Sequence, residues 1–133
     1  MSNITVSSGA EQTIRTYYEA ADRGDADRAV TLFADDAEIR FGNAEPGTGA
    51  QTIVDEAARL HTVCSAMLHD IANVFVDESD TRGVAELAMT YVRHDGSELR
   101  VPAAGVFTFG PDHKITSYHV YVDLADLFAP AGA

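Results

Sequence analysis

Apolar residues fall three and four apart in the first half of the chain and in strand-length runs between turns in the second. Ile14, Tyr17, Tyr18 and Ala21 make one helical stripe. Ser8 and Glu11 before it have the form of a capping box, and Gly24 closes it. Asp25 caps a second, short helix carrying Ala29, Val30, Leu32 and Phe33. AEIRF (37–41) reads as a strand and GNAEPGTG (42–49) as a loop. Thr48 and Gln51 repeat the capping pattern before a third helix that buries Ile53, Ala57, Leu60 and Cys64. From Met67 onward, FVDESDTRG, HDGS and FGPDHK are turns separating four long strands. Helices first and a strand meander second predict an α+β fold, with helices over one face of a curved antiparallel sheet.

Turn chemistry gives a register. Asp95-Gly96 reads as a two-residue hairpin loop, which needs positive φ at both positions. It sets Arg93 opposite Glu98 and Glu86 opposite Gly105. One side of the sheet then carries Val84, Glu86, Ala88, Thr90 and Val92 with Leu99, Val101, Ala103, Gly105 and Phe107. A four-residue turn at GPDH adds Tyr118, Val120 and Val122 to that side and pairs Arg100 with Asp123. The helices must cover this apolar side. Glu86 is its one misfit. Facing a glycine among small residues, it describes a pocket wall, the alternative being a place at the rim, in water or beside an arginine. The other side mixes Leu87, Met89, Tyr91, Pro102, His119 and Tyr121 with the two charge pairs, as an interface does, and predicts a homodimer.

Composition narrows the partners. The 133 residues are 46% hydrophobic, enough for one folded domain over 10–128, with a flexible N-terminus at 1–9 and a tail at 129–133. A net charge of −12, with nine scattered Lys and Arg, argues against nucleic acid and anionic membranes. Cys64 is the single cysteine and lacks the company a zinc site needs, so neither a disulfide nor a metal is expected. No apolar run has the length of a membrane span, and the expected location is the reducing cytoplasm.

The element order, with YYEAADRGDADRAVTLFADDAEIRF (17–41) and VFTFGPDHKITSYHVYVD (106–123), resembles the nuclear transport factor 2-like superfamily and within it the SnoaL-like proteins. The likeness spans roughly residues 10–128. It implies a cone, a curved sheet wrapped around helices and enclosing a pocket, and a fold whose members commonly dimerise through the outer sheet face. Against ketosteroid isomerase, the tyrosine of that family falls on Tyr17, its base on Phe41 and its oxyanion aspartate on Gly105. Beyond the likeness, Glu86 on the adjoining strand is the expected substitute for the acid absent at Gly105. Against limonene epoxide hydrolase, the pocket aspartate falls on Val120 of HVYVD. The dehydratases of scytalone and of bile acids are similar at HDIAN (69–73), with His69 and Asn73 in place, and at the spacing of Tyr17 and Asp22.

These likenesses imply a cofactor-independent lyase or isomerase acting on a small hydrophobic carbonyl or hydroxyl compound. Such chemistry needs a base and a donor to the developing oxyanion. His69 or Glu86 could be the base and Tyr17 the donor, with Asp22 beside them. Phe41, Leu60, Asn73 and Thr90, and Phe107, Tyr118, Val120 and Val122 from the last two strands, are the expected pocket walls. The side of the sheet that His69 faces depends on the DESDTRG loop. An even-length turn centred on Asp80-Thr81 sets His69 opposite Val92 and Asn73 opposite Ala88, in the cavity; an odd one makes His69 an interface residue. A packed core histidine, in a non-catalytic ligand-binding or structural module of the same fold, is the other reading of the same residues.

Overall fold

The computed structural model describes residues 8–129. The expected flexible ends lie outside the described residues, except Ser8, Gly9 and Ala129, which are placed. Helix α1 (Gly9–Asp22) begins where Ser8 Oγ accepts the Glu11 N–H at 3.0 Å and ends before Gly24, whose φ is 69°. Asp25 caps α2 (Ala26–Thr31) by accepting from the Arg28 N–H at 3.1 Å. The third expected cap does not form. Thr48 pairs with Glu38 in the short strand β2 (Gly47–Thr48), Gly49 turns the chain at φ 87°, and α3 (Gln51–Leu60) starts without a side-chain cap. Cys64 opens a strand rather than closing a helix, and its thiol donates to the Leu60 carbonyl at 3.2 Å.

With β1 (Phe33–Phe41), β3 (Cys64–Val76), β4 (Arg82–Arg93), β5 (Glu98–Phe109) and β6 (Ile115–Val122), the six strands form one curved, unclosed sheet in the order β2-β1-β6-β5-β4-β3. All neighbours are antiparallel except β1 and β6, which run parallel. Helix α1 lies against β3 and β4, and its stripe of Ala10, Ile14, Tyr17, Tyr18 and Ala20 is buried. A short helix α4 (Ala125–Phe128) ends the described chain. No described helix is long and apolar enough to cross a membrane.

The β4–β5 register is one residue away from the expected one. The hairpin loop has three residues, His94 to Gly96, closed by Arg93 N–H to Ser97 O at 2.8 Å and Gly96 N–H to Arg93 O at 2.9 Å. Only Gly96 takes a positive φ, 87°, while Asp95 caps Ser97 through its carboxylate at 2.8 Å. Val92 therefore faces Glu98, and Glu86 faces Ala104 rather than Gly105. Because side chains alternate, one residue of slip reverses the whole of β4. Ala85, Leu87, Met89 and Tyr91 point inward and are buried. Glu86 is exposed on the outer face, where Asn73 Nδ2 donates to it at 3.2 Å. Thr90 also faces outward, under the Arg100 guanidinium at 3.2 Å. Neither expected charge pair forms: Arg93 reaches the Asp126 carbonyl at 3.1 Å, and Arg100 pairs with Asp70 at 2.9 Å.

The β5–β6 register differs too, with Ala103 opposite Val122, but by two residues, which preserves the faces. Phe107, Tyr118, Val120 and Val122 point inward as expected. Strand β3 reaches its register through a bulge between Ile71 and Asn73. Before it Met67, His69 and Ile71 face Tyr91, Met89 and Leu87 on the inner side; beyond it Asn73 faces Glu86 on the outer side. His69 is in the cavity, and Asn73 is not.

Candidate functional site

The inner face of the sheet, α3 and the segment after β6 enclose a cavity with about 70 Å³ open to a water-sized molecule. Ile53, Ala57 and Leu60 come from α3, Met67, Leu87 and Met89 from β3 and β4, and Phe41, Val120, Val122 and Leu124 close the far side. His69, Glu56, Tyr91 and Tyr118 are the lining residues with polar side chains on this apolar wall.

His69 is tied down from behind. Its Nδ1 lies 2.6 Å from Asp22 Oδ1, and the same carboxylate accepts the His69 backbone N–H at 2.9 and 3.2 Å. The last residue of α1 thus holds both the main chain and the ring of a strand residue 47 positions away. A carboxylate only accepts, so Nδ1 carries a proton toward it, and in the neutral ring the lone pair lies on Nε2. Nε2 has no hydrogen-bond partner among the described residues. The ring also rests on Tyr18, with centroids 4.7 Å apart.

Tyr18 and Tyr118 share a buried hydroxyl–hydroxyl bond of 3.1 Å, and Tyr17 packs edge-on to Tyr118 with centroids 5.3 Å apart. Burial first, then the neighbouring phenols, raises Tyr17 and Tyr118 well above the ordinary tyrosine value; burial likewise raises Tyr18. Tyr91 is pushed up to about 12, by burial first and then by Cys64 and Glu56. These phenols stay protonated and can donate, not accept a proton as bases. The expected donor, Tyr17, lies within the core away from the cavity surface, and Tyr118 stands on the wall instead. Phe107 is likewise core, stacked behind Tyr118 at 4.5 Å.

Of the other expected site residues, Phe41, Leu60, Val120 and Val122 line the cavity, while Glu86, Asn73 and Thr90 lie outside it. The wall residues not expected from the sequence are Ile53, Glu56 and Ala57 on α3, Met67 on β3, Leu87, Met89 and Tyr91 on β4, and Leu124. A hairpin loop with one positive-φ glycine, rather than two such positions, is the signal that would have found the three on β4.

The SnoaL-like domain profile matches residues 14–118. No curated protein matches the chain. Solved structures share the fold. A protein of Xanthomonas campestris pv. campestris provisionally designated a polyketide cyclase is 23% identical, with 89% of this chain and 93% of that one covered and a TM-score of 0.80. A nuclear transport factor 2-like protein of unknown function from Burkholderia pseudomallei is 16% identical over 96% of this chain and 100% of that one, at 0.83. A limonene-epoxide-hydrolase-like epoxide hydrolase of M. tuberculosis is 18% identical over 90% and 86%, at 0.74.

Proposed function

Since the chain belongs to the SnoaL-like domain family, we propose that its cavity takes a small hydrophobic carbonyl or hydroxyl compound and moves a proton on it without a cofactor. The observation that carries this reading is the Asp22–His69 pair facing an apolar cavity. Nε2 takes a proton from the carbon next to a carbonyl, and the electron pair moves onto the carbonyl oxygen. Tyr118, backed by Tyr18, donates a hydrogen bond to that oxygen. The imidazolium formed is stabilised by Asp22 behind it. Return of the proton to another carbon is isomerisation; its delivery to a departing β-hydroxyl, which leaves as water, is dehydration. Cytoplasmic action is part of the same proposal, in keeping with a free, buried Cys64.

Cyclic ketones and β-hydroxy ketones incubated with the protein in heavy water should lose the proton next to the carbonyl, followed by proton NMR. His69→Gln should abolish this exchange. Equal exchange by a folded His69→Gln variant would remove the acid–base role. Binding of these compounds without any exchange would make the protein a ligand-binding module.

We also propose that two copies associate through the outer sheet face. Leu68, Phe75, Val106 and Tyr121 are 46%, 57%, 37% and 53% exposed there, large apolar groups among charged ones. Light scattering at micromolar concentration should give a dimer that Tyr121→Glu weakens; a monomeric wild-type chain would rule the dimer out.

A further inference from the structure

Two further spaces adjoin the cavity at Glu56. A wider hollow of about 440 Å³ shares Phe41, Glu56, Val122 and Leu124 with it and adds Arg59 and Phe128. A third recess, about 180 Å³, also meets Phe41, Glu56 and Arg59. Arg59 is the only Lys or Arg lining these three spaces, in a chain of net charge −12.

The guanidinium is fixed on two sides. Nε donates to Glu56 Oε1 at 2.6 Å and Nη2 to Oε2 at 2.9 Å, and the Phe128 ring lies under it at 4.9 Å from its centroid. An i,i+3 ion pair on a helix is ordinarily a solvated surface contact of little consequence. Here Glu56 has a side chain only 11% exposed and lines all three spaces, while Arg59 stays 53% exposed. A guanidinium has five N–H groups. Glu56 uses the Nε edge and one N–H of Nη2. Both N–H groups of Nη1 and the second of Nη2 have no acceptor among the described residues. That remaining edge is the fork that matches two oxygens of a carboxylate or similar oxyanion. Glu56 and Phe128 hold it in place beforehand, so little side-chain entropy is lost when it binds.

We propose that Arg59 anchors an anionic group of the cavity ligand, and hence that the substrate is an amphipathic acid. Its apolar, reacting part enters the cavity toward His69, and its carboxylate or equivalent oxyanion stays in the outer hollow on the free edge of Arg59. This rests on the reading that the cavity binds a hydrophobic molecule.

Two fluorescent probes separate the two ideas: anilinonaphthalene sulfonate, an apolar ring system with an anionic end, and its neutral parent, phenylnaphthylamine. Titrated into the wild-type chain, both should bind, and Arg59→Gln should weaken the sulfonate by about tenfold while leaving the neutral probe unchanged. Added salt should narrow the difference. Should Arg59→Gln not fold, Arg59→Lys keeps the charge without the planar fork and should weaken the sulfonate alone, by less. Sulfonate binding unchanged in the folded variant, with the neutral probe still bound, would overturn the anchor and leave the cavity reading intact. Failure of both probes to bind the wild-type chain would overturn the cavity reading and the anchor together.

Discussion

Asp22→Asn should cut proton transfer by roughly a hundredfold or more while leaving the fold in place. One carboxylate oxygen, Oδ1, accepts from both the His69 backbone N–H at 2.9 Å and the ring Nδ1 at 2.6 Å. The asparagine oxygen in that place keeps both bonds, so the α1–β3 junction holds and the ring keeps its orientation. What is lost is the carboxylate charge, and with it the partner of the imidazolium that forms when Nε2 takes a proton. Nitrogen NMR of the labelled His69 ring should show the same Nδ1–H tautomer in the native protein and in Asp22→Asn while proton transfer falls. Unchanged proton transfer in the folded variant would remove Asp22 from the mechanism.

Gly105→Ala should destabilise the protein by about 2 kcal/mol, read as a lower denaturant midpoint at constant slope. A Cβ at this position would run into the Tyr18 hydroxyl and come within 2.9 Å of Tyr118 Cε1 and 3.1 Å of Phe107 Cε1. All three rings are at most 2% exposed, so none can swing aside into water. The Tyr18 hydroxyl would have to leave its 3.1 Å bond to Tyr118, stranding a buried phenol, and would draw its ring away from His69. The effect should therefore exceed that of a simple methyl group in a tolerant core. A variant as stable as the native protein would mean that the tyrosine cluster repacks freely and is no fixed donor. The missing side chain at 105 is thus space occupied by the Tyr18 hydroxyl.

Local chemistry made much of this legible in the sequence. The Ser8 and Asp25 caps, the buried stripe of α1 and the inward faces of β5 and β6 follow from hydrogen bonds and periodicities within a few residues. The expected inward position of His69 holds because two register differences cancel. The expected loop at Asp95 reversed β4, and the expected β3–β4 pairing reversed β3 relative to it, so the odd residues of β3 stayed inside. Nothing cancelled for Glu86 and Thr90, which went with β4, nor for Asn73, which the bulge turned outward.

Local sequence is therefore enough for the three longer helices and the main strands, but not for β2, the start of β1 at Phe33 or α4. The tertiary structure decided which of their residues face one another. A strand alternates every residue, so one position of slip exchanges wall for surface, and the turn conformations and bulge that fix the slip are selected by packing along the whole sheet. The same holds for contacts across the chain. Neither Asp22 near a helix end nor His69 on a strand signals the other; they meet because α1 lies across β3 and β4 while its tyrosines are buried against Phe107 and Tyr118, and that packing leaves its last residue over His69.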